Sequence, residues 1–188
     1  AGFPDPAGDL LGAAQEGWLL AGLGASAARW NVLAQQIVFA PTPIGTFLNF
    51  DQWDGYPVAR QRVIDALQGA ATRNPVVLTG DIHSSGAGWV PADTANLTTP
   101  IATEWVATGI SSSGLDPATA QLAQAVLEQL PHIDYFEAVS RGYLRHEVGR
   151  DTWRADFRFV STVTEPTATV STAASFVVED GDPRPQPA

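Results

Sequence analysis

The segment Asn74-Pro75-Val76-Val77-Leu78-Thr79-Gly80-Asp81-Ile82-His83-Ser84-Ser85 restricts the fold of this chain more than any other. An Asn-Pro turn leads into a short apolar run rich in β-branched residues, and the run stops at a glycine followed by a carboxylate and an imidazole. This is the pattern of a buried strand that carries polar groups on its end. In an extended chain, residues two apart project to the same side, so Asp81 and His83 are expected to converge just beyond the strand while Ile82 turns back into the core. A carboxylate oxygen beside an imidazole nitrogen suits iron, zinc or manganese, with calcium or magnesium on the carboxylate side. The same residues also read as an ordinary Gly-Asp turn with a histidine nearby, so their neighbours must decide.

Ahead of that segment, Ala1 to Asp9 reads as an extended lead-in and Leu10 to Leu23 as a helix weakened by Gly12 and Gly17. Trp30 to Gln35 reads as a strand. The stretch from Ala40 to Tyr56 sets Phe47, Phe50, Trp53 and Tyr56 among prolines and glycines, which suits a loop packed over the core or shaping a pocket. Pro57 suits the first turn of a helix whose inner stripe is Val58, Val63, Ile64, Leu67 and Ala71. Followed by the strand from Val76 to Thr79, this makes a helix-strand unit of an α/β layer structure.

Beyond His83, Ser84 to Val90 is rich in Gly and Ser, and Pro91 to Pro100 reads as polar loop. Ile101 to Thr108 repeats the earlier pattern, an apolar run ending in a glycine and serine cluster from Gly109 to Gly114. Asp116 and Pro117 start a helix with Leu122, Val126, Leu127 and Leu130 expected inward. Segments Gly142 to Arg150, Thr152 to Thr164 and Thr167 to Val178 alternate and are rich in Val, Thr, Phe and Trp, which predicts antiparallel strands. Residues 1–180 are expected to form one domain and 181–188 a mobile Pro-rich tail.

Composition removes several function classes. The net charge is -10, from ten basic and twenty acidic residues, and every basic residue is arginine. Such a surface repels a polyphosphate backbone, so nucleic acid is not bound through a basic face. A small phosphoester could still bind where metal ions reverse the local sign. No cysteine is present, so neither disulfides nor thiolate ligands are available in this stretch, and no apolar run is long enough to span a bilayer. A nucleophile elbow of the Gly-x-Ser-x-Gly type and a phosphate-binding P-loop are both missing. Of the three histidines, His132 reads as a helix-terminal cation and His146 as a strand surface residue. The start at Ala1 and the lack of any Met suggest a processed or incomplete chain.

Taken with Phe50-Asp51-Gln52-Trp53-Asp54-Gly55-Tyr56-Pro57, Ser111-Ser112-Ser113-Gly114 and Arg141-Gly142-Tyr143-Leu144-Arg145-His146-Glu147-Val148, the Gly-Asp-Ile-His segment resembles the PhoD-like (alkaline phosphatase D) family of metallophosphoesterases. The resemblance runs from about Leu11 to Gly181. It implies the C-terminal part of an αββα sandwich, a mixed sheet with antiparallel C-terminal strands. It implies a phosphomonoesterase or phosphodiesterase that uses metal-activated hydroxide, with iron and calcium as cofactors and Asp81 and His83 as catalytic metal ligands. Trp53, Asp54, Tyr56, Arg60 and Ser84 are then expected to shape the phosphate site. Their plainer reading is core aromatics, a helix cap, a solvated helix residue and a turn former.

Members of that family carry a further N-terminal half that supplies other metal ligands, and this chain is expected to lack it. The resemblance also implies a secreted, periplasmic or surface location. A rival reading is a noncatalytic interaction module that keeps half of the metal site and exposes an unpaired sheet edge to a partner.

Overall fold

The computed structural model describes residues 8–43 and 51–188. Phe47, Phe50 and most of the lead-in fall outside those residues. In chain order the elements are α1 (Ala13–Gly24), β1 (Asn31–Ala34), a 3-10 turn (Trp53–Gly55), α2 (Pro57–Leu67), β2 (Pro75–Thr79), β3 (Ser85–Asp93), β4 (Asn96–Val106), α3 (Pro117–Leu127), β5 (Ile133–Glu137), β6 (Gly142–Val148), β7 (Thr152–Val160), β8 (Val170–Glu179) and β9 (Asp182–Pro187).

The strands form a five-stranded sheet in the order β1-β2-β4-β3-β5 and a four-stranded sheet in the order β6-β7-β8-β9. β1, β2 and β4 run parallel, while β3 and β5 run antiparallel to their neighbours, so the first sheet is mixed. The second sheet is antiparallel throughout. The α/β class and the antiparallel C-terminal portion are as the sequence predicts.

Period-two alternation distributes the first sheet's side chains between its faces. Val77 and Ala102 join Phe39, Trp53, Ala59, Val63, Ile64 and Leu67 in a core beneath α2. Val76 and Trp105 point the other way and meet Trp153, Ala155, Phe157, Phe159, Phe176 and Val178 of the second sheet. The layers are thus helices, mixed sheet, antiparallel sheet. Pro57 occupies the first turn of α2, and Val63, Ile64 and Leu67 are buried on its inner stripe, each contributing about 1.5–3 kcal/mol relative to exposure. Val58 lies outside that stripe and is exposed.

Polar contacts at the amino ends of the parallel strands tie the sheets together. Arg29 donates to the Arg150 carbonyl oxygen and pairs with Asp151 and Asp180. Asn74, in the left-handed region at φ 43°, donates to Asp180 and accepts from the Gly181 N–H. These contacts hold the β6–β7 and β8–β9 turns against the loops before β1 and β2. The opposite, carboxyl ends of β1, β2 and β4 stay free for other work.

Three expectations need correction. Pro91 to Pro100, read as polar loop, instead belongs to the β3–β4 hairpin. Residues 181–188 do not form a mobile tail, because Asp182–Pro187 pairs with β8 as strand β9. In α3, capped by the Asp116 carboxylate on the Ala118 and Thr119 N–H groups, Leu127 is buried but Leu122 is 70% exposed. The helix presents a narrower face to the sheet edge than its leucines suggest.

Candidate metal centre

Strand register collects the loops. Thr79 of β2 lies opposite Val106 of β4, so the Gly80 and Ala107 loops leave the sheet side by side. β3 begins at Ser85 opposite Glu137, the last residue of β5, which brings residues 138–141 to the same end. The segment after β1 joins them through the Gly80 N–H donating to the Gln36 carbonyl oxygen at 3.0 Å. Ligand sites in open α/β sheets lie at such carboxyl strand ends.

Asp81 and His83 stand at this end, both exposed. The backbone that carries them is not the extended chain expected from their spacing. Asp81 has φ 71° and His83 φ 54°, left-handed values that cost a non-glycine residue on the order of 1–2 kcal/mol each. The Ile82 N–H donates back to the Gly80 carbonyl oxygen at 2.9 Å, closing a three-residue turn around Asp81. Ser84 is buried, and its hydroxyl donates to the Ile82 carbonyl oxygen at 3.2 Å. Strain of this kind collects where a loop must aim side chains.

The two side chains are set differently. The Asp81 carboxylate has no hydrogen-bond or ion-pair partner among the described residues. Nδ1 of His83 lies 2.9 Å from the Ser113 carbonyl oxygen. A carbonyl only accepts, so in the neutral ring Nδ1 carries the hydrogen and Nε2 keeps its lone pair, the arrangement common to metal-bound imidazoles. The donor pair therefore fits a cation. Among the described residues no group of three or more His, Cys, Asp or Glu side chains is placed to hold a metal.

The Trp53–Arg60 box sits deeper than a pocket lining. Trp53 is 2% exposed, packs edge-on to Phe39 at 5.0 Å and donates its indole N–H to Gln35. Asp54 and Arg60 are buried and paired at 2.5 Å, with Thr42 donating to the other carboxylate oxygen. Arg60 is thus turned inward onto Asp54 rather than toward a phosphate, and Asp54 caps no helix. Tyr56 is half-buried against the helix-side core.

Sequence reading missed Glu104 and misjudged His132. Glu104, in the middle of an apolar strand, is buried and accepts from Thr79 and from the Phe39 and Ala40 N–H groups at 2.6–2.8 Å. Burial pushes its carboxyl above the usual range, opposed by those donors and by the Arg60 charge. It anchors the loop after β1 to the floor of the site. His132 is fully buried, with Nε2 2.8 Å from the Pro41 carbonyl oxygen. Burial lowers its pKa below the ordinary 6.5, so it is a neutral core group and not a helix-terminal cation. A buried acid flanked by strand residues gives no periodic signal that would have revealed it.

Comparison with known proteins bears on the fold and the family. A family model described as PhoD-like phosphatase matches residues 2–157. Alkaline phosphatase D of Bacillus subtilis (strain 168) is 43% identical over 180 residues, covering 93% of this chain and 31% of that protein. A solved structure of PhoD superposes with a TM-score of 0.86 at 41% identity, over 97% of this chain and 36% of the other. The chain therefore spans about a third of the length of the relatives it matches. With most of its residues inside the family match, the chain belongs to the PhoD-like phosphatase family.

Proposed function

We propose that the chain supplies part of the active site of a metal-dependent phosphoester hydrolase, with Asp81 and His83 as metal ligands. The observation that carries this reading is the His83 ring, held at Nδ1 by the Ser113 carbonyl so that Nε2 is left as a bare donor, two residues along the chain from the Asp81 carboxylate, which has no partner among the described residues. Iron suits the imidazole nitrogen and calcium the carboxylate oxygen. When bound, such cations offer phosphate oxygens a Lewis acid and supply a hydroxide nucleophile near neutral pH. They also supply the positive charge that a chain of net charge -10 needs to admit a phosphoester.

The rest of the chain supports this pair. Ser84 closes the turn between the ligands, while Trp53, Asp54 and Arg60 form the packed wall beneath the loop after β1. Tyr56, less buried than Trp53, Asp54 and Arg60, is the best candidate among these four for meeting substrate. The remaining ligands are proposed to come from parts of the longer relatives that this chain does not span. Action outside the cell belongs to the same proposal and rests on the family resemblance alone. The incomplete ligand set also favours a second reading, in which this chain by itself is a noncatalytic half-site.

Metal content per chain, measured after purification without chelators for the wild type and for His83→Ala, tests the proposal. Bound metal lost in the variant, together with hydrolysis of p-nitrophenyl phosphate or bis-p-nitrophenyl phosphate, supports the enzyme reading. Bound metal without turnover supports the half-site. Equal metal in both proteins removes His83 from the ligand set.

A further inference from the structure

Arg141 is buried yet has no acidic partner among the described residues. Its guanidinium is spent on backbone carbonyl oxygens instead. Nη1 donates to His83 at 2.6 Å, and Nη2 donates to Ala138 at 3.0 Å and Val139 at 3.1 Å. A planar fork of fixed donors suits such a cluster better than a point charge does. Gly114 makes room for it, since a Cβ there would lie 2.0 Å from Nη2. The residue before that glycine is Ser113, whose carbonyl oxygen holds the His83 ring.

We infer that Arg141 is a positioning residue for His83: by gripping the His83 carbonyl and packing into the Gly114 turn, it fixes both the left-handed backbone and the ring tautomer that leaves Nε2 free. The inference builds on the reading of His83 as a metal ligand, but its geometric half stands without a metal. Thr108 assists, its hydroxyl lying 3.1 Å from the His83 carbonyl oxygen. The chain of contacts runs from guanidinium to carbonyl to loop to imidazole, so removing the guanidinium frees the ring without touching it. Keeping the positive charge alone is not sufficient, because the fork must reach the 83 and 138–139 loops together.

The test compares the wild type with Arg141→Met, Arg141→Lys and Gly114→Ala, with Arg154→Met as a control for loss of an arginine elsewhere in the fold. Gly114→Ala displaces the guanidinium while leaving its charge, and it keeps the inference testable should Arg141→Met fail to fold. Nitrogen NMR of labelled histidine in metal-free protein reads the His83 tautomer, and titration with cobalt(II) followed by absorbance reads affinity. The wild type and Arg154→Met should hold the Nδ1–H form. Arg141→Met and Gly114→Ala should shift toward the Nε2–H form and weaken cobalt binding by about 10- to 100-fold, with Arg141→Lys between. An unchanged tautomer in folded Arg141→Met or Gly114→Ala overturns the inference. If the wild type binds no cobalt, the metal reading fails, and the tautomer still decides the role of Arg141.

Discussion

Nη1 of Arg60 lies 2.5 Å from Oδ1 of Asp54, and the two side chains are only 5% and 7% exposed. The pair lies behind the loop that follows β1, with Thr42 donating to the second carboxylate oxygen and Arg60 Nε left without a partner. Desolvation makes such a pair a weak source of net stability, but breaking it strands a charge in the core. Arg60→Met should therefore cost about 3–5 kcal/mol, and Asp54→Asn with Arg60→Met should recover part of that loss. Urea denaturation of both variants checks this. A double variant no more stable than the single one would contradict it.

Asp81 sits in the left-handed region with no folded-state contact to compensate for it. Glycine there relieves the strain but gains freedom in the unfolded chain, so Asp81→Gly should stabilise the fold by about 0.5–1 kcal/mol while lowering metal affinity. His83→Gly should gain less, because it also gives up the bond to Ser113. Thermal melting beside metal titration separates the effects, and a destabilised Asp81→Gly would show that the carboxylate serves the fold.

His132 and His146 are both held below the ordinary histidine pKa of 6.5 by burial. Between the folded and unfolded values the unfolded chain binds more protons, so stability falls as pH drops below 6.5 and is fully present above it. His146 also accepts from the Trp153 indole at Nδ1, which selects the neutral ring. Denaturation midpoints measured downward from pH 6.5 should decline in the wild type, and His132→Gln should retain only the His146 share of the slope. A flat wild-type profile would show that neither ring resists protonation.

Strand β9 makes specific contacts: Thr103 donates its hydroxyl to the Pro183 carbonyl oxygen at 2.7 Å, and the Ala188 N–H donates to Ser175 at 3.0 Å. A chain ending at Gly181 would leave the buried Thr103 hydroxyl unpaired, at about 1–3 kcal/mol, and melt roughly 2–10 °C lower. Calorimetry of that truncation checks it, and an unchanged melting temperature would return the segment to the status of a tail.

The elements that sequence made legible are those whose local chemistry and tertiary role agree. Pro57 opens α2, Asp116 caps α3, and the alternation from Gly142 to Val178 becomes the antiparallel sheet. The elements it hid are those where packing overrides propensity. β3 begins Ser85-Gly86-Ala87-Gly88 because a Cβ at Gly88 would lie 2.2 Å from the His132 carbonyl oxygen, so the strand is small where a β-former would clash. β9 carries prolines at 183, 185 and 187, which an edge strand tolerates because it has one side free of the ladder. The candidate site was half visible. Asp81 and His83 announce themselves by type, but Arg141 and Glu104 act through backbone atoms of loops distant in sequence, and no local pattern encodes that.

The outer side of β1 has a further meaning. β1 lies at the border of the mixed sheet, Val32 is exposed, and α1 beside it buries no residue fully. Nothing along Asn31–Ala34 blunts that border: it holds no proline and no charged side chain. A parallel strand added there would continue the existing stagger, and its own end would emerge in the row that already holds Asp81. The direction of that border, rather than any loop, would then decide where an added strand delivers its end.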